Sequence, residues 1–146
     1  MNKDNVIKSL RRHYCSMLAV VIVTLLVFEF GLKDGLLIED VSPSALYVIQ
    51  VFAIMFTVVF IPLAIVSFTK AVEKAKGLPE EDFLMTFLKR GLRRINLLST
   101  VLAVNLLVYY RFGYEGAMYC GLLGLGAMLY SFPTRMVLEQ YLENKE

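Results

Sequence analysis

Few side chains in this sequence are equipped for chemistry, and they fall into two groups. The first consists of polar residues inside or bordering long apolar runs: Glu29 in LVFEFGLKDG, Gln50, Asn105 and Arg111. An ionisable group in such surroundings is costly to hold and is by default a functional hypothesis, here a proton or cation site. Together the four could line a polar vestibule at one end of the molecule. The second group is Lys89, Arg90, Arg93 and Arg94 in KAKGLPEEDFLMTFLKRGLRR, residues 74–94. Closely spaced cations beside an apolar run suit anionic lipid head groups or an acidic partner.

Each group also has a plainer reading. Lys33 follows Glu29 by four residues, the favourable order for a helical ion pair, and Arg111 borders the same side, so an interfacial anchor competes with a site. Asn96 and Asn105 stand about half a turn out of phase at roughly 100° per residue and cannot face one pore in a straight helix. Asn96 belongs with Ser99, Thr100 and Ala103, and interhelical hydrogen bonding is expected of both amides. The basic cluster, for its part, is the kind that sets membrane topology.

Catalytic chemistry finds little support. Glu80, Glu81 and Asp82 fan around one helical turn rather than converging on a substrate. His13 is the only histidine, so one chain cannot build a histidine-rich metal or haem site. No nucleophile and base pair, phosphate-binding loop or dinucleotide fingerprint is present. The expectation is a non-enzyme with no cofactor and no metal. With no basic element outside the membrane-flanking segments, no nucleic-acid partner is expected either.

The elements that must carry these residues follow from composition. The 146 residues are 58% hydrophobic and 19% charged, with mean hydropathy +0.62, too apolar for a small soluble domain. Four windows are almost free of charge: 14–31, 44–69, 95–110 and 116–133. At about 1.5 Å per helical residue each crosses, or nearly crosses, a hydrocarbon core of about 30 Å. The expected fold is therefore an all-α integral membrane protein, a single domain of four transmembrane helices in an antiparallel bundle. Lys8, Arg11 and Arg12 before the first window could mark a signal peptide, but no small-x-small cleavage site follows, so a retained helix is expected.

Orientation comes from the cations. Of the 15 Lys and Arg residues only Lys33 and Arg111 fall in the first and third loops; the rest flank the N-terminus, the 70–94 connection and the C-terminus. Positive-inside asymmetry then puts both termini and the 70–94 hairpin in the cytoplasm. Cys15 and Cys120 fall in opposite leaflets, too far apart for a disulfide.

Local signals define the hairpin. Ser42 and Pro43 open the second helix, and good helix formers continue it to Lys76. Gly77 suits the left-handed position past a helix end, and Pro79 followed by three acids opens the next helix, to about Tyr110. Both helices would reach about 45 to 50 Å, well beyond the hydrocarbon. Pro62 should bend the second. Short loops predict helices 1 and 2, and 3 and 4, as neighbours. Gly116, Cys120, Gly124, Ala127 and Ser131, at steps of three or four, form a small-residue stripe for close helix packing. Short amphipathic elements are expected before the first span, with Val6, Ile7 and Leu10 apolar, and after the fourth, with Met136, Val137, Leu138, Tyr141 and Leu142.

Two functional expectations follow. The first is an accessory, scaffolding or regulatory subunit of a membrane complex, with a membrane-protein partner or a second copy of itself beside the bilayer and its anionic head groups. The alternative is a small homo-oligomeric transporter or channel with its polar vestibule at Glu29, Gln50, Asn105 and Arg111. Compact loops and the absence of sorting motifs suggest a prokaryotic inner membrane.

Overall fold

Short-range signals set the helix ends. The Ser42 hydroxyl accepts from the Ala45 N–H at 3.4 Å with Pro43 at the first helical position. At the other end of that helix the chain leaves through tight i→i−3 bonds, Lys76 N–H to Glu73 O at 3.2 Å and Leu78 N–H to Ala75 O at 3.0 Å. Gly77 therefore does not take the left-handed conformation expected of it. Among the described residues only Gly113 does, with φ 64° and its N–H on Tyr109 O at 2.9 Å. Gly113 turns the chain sharply enough for the following helix to fold back.

The computed structural model describes residues 2–31 and 40–143. They form α1 (Lys3–Leu26), which runs on into a single π-turn at Val27–Gly31, then α2 (Pro43–Ala75), α3 (Glu80–Phe112), α4 (Glu115–Tyr130) and α5 (Arg135–Glu143). Among the described residues there is no strand. The segment 3–31, α2 and α3 are long and apolar enough to cross a membrane, which marks the chain as a membrane protein. The 16 residues of α4 reach only about 24 Å, short of the hydrocarbon thickness. The fourth expected window breaks at Ser131, where the chain unwinds through Pro133 before α5 begins.

The arrangement centres on α3, against which α1, α2 and α4 all pack. Pairings along α1 show that it runs parallel to α3: Lys3 to Glu80 at 3.2 Å, His13 to Asn96 at 2.6 Å, and Glu29 to Tyr110 at 3.0 Å. Pairs such as Thr57 with Asn105 and Phe68 with Phe87 show α2 running antiparallel to it. The expected neighbour pair α3 and α4 is present. The expected pair α1 and α2 is not an extensive contact; α3 lies beside α1 instead. On α3, Gly91 meets Leu10 of α1. A Cβ on Gly91 would lie 2.8 Å from Leu10 Cδ2, so the close approach there depends on glycine.

Both elements flanking the spans become part of one packed end. The first turns of α1, the last turns of α2, the first turns of α3 and all of α5 enclose Val6, Leu10, Val72, Phe83, Leu84 and Leu138, each at most 1% exposed. Phe87 joins Phe68, Phe83 and Tyr141 in an aromatic cluster at their centre. Met136, expected on the apolar side of α5, points outward instead, at 75% exposed. Arg135 fastens α5 to α1 through Asp4 at 3.2 Å and is itself held by Glu139 at 2.7 Å. The Glu139 hydrogen bond, with the charge of Asp4, raises the Arg135 pKa above its ordinary value. We call this end the head. In the opposite, far half a smaller cluster of Ala53, Val108 and Ala117 joins α2, α3 and α4.

Candidate functional site

The four residues expected to form a vestibule do not share one exposed face, because Asn105 is closed inside the core. Asn105 is fully buried on α3, where its amide nitrogen donates to Thr57 Oγ1 and to the Val101 carbonyl, each at 2.8 Å. Thr57 in turn donates to the Ala53 carbonyl at 2.9 Å. The result is an interhelical clasp, the role expected of the amide, and it faces α2 and α4 rather than any opening. Gln50 and Arg111 are half-buried. Glu29 lies across α3 from the clasp, on the α1 side.

Glu29 has a partner that the sequence did not suggest. Its carboxylate accepts from the Tyr110 hydroxyl at 3.0 Å, and Phe28 stacks on the Tyr110 ring with centroids 4.9 Å apart. Of the two expected partners, Lys33 lies outside the described residues and Arg111 is half-buried in the last turn of α3. Helical spacing reveals i,i+4 partners, whereas Tyr110 reaches Glu29 only because α1 and α3 run parallel, and no local signal encodes that pairing. The π-turn at Val27–Gly31 carries Glu29, and such turns often sit at functional positions because they re-aim side chains.

Below this latch a crevice of about 400 Å³ opens between α1, α3 and α4. Val21, Leu25, Leu102, Leu106, Leu122 and Leu125 make it apolar, and Glu29 is the only charged residue in its lining. A crevice of this kind can accept an apolar ligand or the face of another helix, with one carboxylate at its end.

The basic cluster also divides. Lys89, Arg90 and Arg93 are exposed, but Arg94 turns inward. Its guanidinium carbon lies 3.9 Å from the centre of the Phe68 ring, and Nη2 donates to the Ser131 carbonyl at 3.0 Å. Arg11 Nε donates to the nearby Pro133 carbonyl at 3.2 Å, with its guanidinium over Phe132. Two arginines thus satisfy carbonyls of the unwound segment that follows α4. His13 with Asn96, and Tyr14 edge-on to Phe132, lie at the same level. These contacts form a polar collar between head and far half, and Arg94 belongs to it rather than to a lipid patch.

The small-residue stripe on α4 is displaced by part of a turn from its predicted face. The buried seam is Ala117, Gly121, Gly124 and Met128. Gly124, whose Cβ would meet Val101 Cγ1 at 3.4 Å, lies on it, and Ser131 is buried beyond its end. Gly116, Cys120 and Ala127 are half-buried along its edge. Cys15 is exposed, and both cysteines are free. Among the described residues no three His, Cys, Asp or Glu side chains come together as a metal site. Comparison with protein-family models, curated proteins and solved structures finds no match.

Proposed function

We propose that this protein is a non-enzymatic accessory, scaffolding or regulatory subunit of a membrane complex. In this reading it is a four-span bundle with its head and both termini in the cytoplasm, α4 being a short fourth span that thins the bilayer locally. What supports an even number of crossings is that Lys3 and Tyr141 both lie in the head, beside Glu80 and Lys76. The 13 cations outside the far-side loops favour the cytoplasm for that end, and the compact loops a prokaryotic inner membrane.

The observation that carries the accessory reading is the condition of the first span. Only 6% of its most apolar window is buried within the protein, although the same helix is locked into the head at its start. Val20, Val23, Leu26 and Val27 leave most of its circumference free for a partner helix. Native mass spectrometry of protein extracted gently from its host membrane tests this. A stoichiometric foreign membrane subunit is the expected result, and a homo-oligomer with no foreign subunit counts against it.

One observation favours a second reading, a homo-oligomeric transporter or channel: the crevice that ends at Glu29. That reading predicts flux into proteoliposomes that Glu29→Gln abolishes, and flux indifferent to the substitution removes Glu29 from it.

A further inference from the structure

We propose that the head-side boundary between α2 and α3 is a specific site for one anionic phospholipid, with its phosphate among Lys70, Lys74 and Arg90. The inference requires only that the chain sits in a bilayer, and it holds for a subunit and a transporter alike.

The site has two adjoining parts. A pocket of about 310 Å³ is lined by Ser67, Lys70, Ala71 and Lys74 from α2 and by Thr86 and Arg90 from α3. Lys70 and Lys74 are one turn apart on one face of α2, Thr86 and Arg90 one turn apart on the facing side of α3, so three cations converge from two helices. Among the described residues none of the three has a carboxylate partner. Cations brought together without counter-charge are repulsive in the protein alone and favourable once an anion lies between them.

The second part is a shallow groove of about 420 Å³ along α2, lined by Val59, Pro62, Leu63 and Val66, which shares Ser67 and Lys70 with the pocket. A charged pocket that continues into an apolar groove matches a phosphate joined to acyl chains. Depth agrees as well. Lys70 is the first charged residue after the apolar window 44–69 of α2, so it and Ser67 fall at the boundary of the hydrocarbon. Lys74 lies roughly 6 Å further out, within the head-group layer. Lys89 and Arg93 are exposed nearby but line neither part. The site thus selects three of the many boundary cations, with Arg90 the one it shares with the sequence-defined cluster.

The test is native mass spectrometry of the full chain in mild detergent, titrated with dioleoyl phosphatidylglycerol, dioleoyl phosphatidylcholine and glycerol phosphate. The expected result is one retained phosphatidylglycerol per chain, in preference to phosphatidylcholine, and no retained glycerol phosphate. Lys70→Gln, Lys74→Gln and Arg90→Gln together should weaken it roughly tenfold or more. Lys8→Gln, Lys89→Gln and Arg93→Gln, with the same loss of charge, should weaken it less than about threefold. The exchanged set Lys70→Arg, Lys74→Arg and Arg90→Lys keeps the charges and should retain the lipid, which separates charge recognition from misfolding. Equal weakening by the two charge-removing triples overturns the proposal in favour of diffuse attraction. Equal retention of phosphatidylcholine, or retention of glycerol phosphate at the same concentration, also overturns it.

Discussion

The two ends of α1 obey different rules. From the head to the collar, Val6, Ile7, Leu10 and Tyr14 face inward and the exposed positions between them are polar or charged. Beyond the collar, apolar residues face every direction, and Val21 is the only buried one before the π-turn. The head is assembled as a water-soluble helical bundle would be, by burying apolar surface against itself. The far half has no such drive, since lipid is as apolar as leucine, and helices adhere there through small residues and interhelical hydrogen bonds. α4 meets α3 through Ala117, Gly121 and Gly124, and α2 meets it through Thr57 and Asn105. In the apolar run of α1, Ser16 and Ala19 are exposed and Thr24 Oγ1 donates to the Val20 carbonyl of its own helix, which leaves the Glu29 to Tyr110 latch at its end. Its looseness follows from where these residues point.

Head substitutions should give the largest effects. Phe83→Ala removes a fully buried ring next to Phe87 and should cost about 3 to 5 kcal/mol. Val23→Ala, on the open face of the first span, should stay within about 0.5 kcal/mol. Reversible unfolding in one detergent measures both, and a comparable loss from the two would erase the distinction between the regions.

The collar comes next. Arg94→Ala removes a charged hydrogen bond to Ser131 and a cation over Phe68, and should cost about 1.5 to 3 kcal/mol. Arg93→Ala, exposed one position earlier, should cost almost nothing. Similar small losses from both would return Arg94 to the exposed cluster from which its geometry removes it.

The Asn105 to Thr57 clasp is the smaller, membrane-half counterpart. A double-mutant cycle with Asn105→Ala and Thr57→Ala should give a coupling of about 0.6 kcal/mol, with about 1.7 as an upper bound for such bonds in a membrane. A coupling indistinguishable from zero would leave the small residues of α4 and the apolar contacts as all that holds the far half together.

The legible parts of this molecule were those set by local chemistry. Ser42 with Pro43, the acid-rich start after Pro79, and the length of α2 and α3 all follow from neighbours in sequence, and the helices begin and end within a residue or two of expectation. The role of Asn105 was legible too, because an amide within an apolar run favours a hydrogen bond to a neighbouring helix. What could not be read was which helix each residue would meet. Arg94 is chemically identical to Arg93, and only the approach of Phe68 and the end of α4 makes it structural. Gly77 looked like the left-handed cap, yet a tight last turn satisfied the carbonyls first. The parallel run of α1 beside α3 is a long-range pairing that no periodicity records, and with it went the partner of Glu29 and the crevice beneath it.

That latch supplies the subtlest test. Tyr110→Phe removes the hydroxyl that donates to Glu29 while keeping the ring on Phe28, so global stability should fall by less than about 1 kcal/mol. The effect should instead be local. With α1 held firmly by Leu10 in the head and Tyr14 at the collar, losing the latch leaves residues 18–31 fixed at one end only. Amide exchange in that segment should accelerate while exchange around Val72 and Phe83 is unchanged, since local openings draw on local contacts. Unchanged exchange along 18–31 would mean that the far half of α1 is held by its apolar contacts with α3 and α4, and the crevice would then be a fixed feature rather than one that the latch controls.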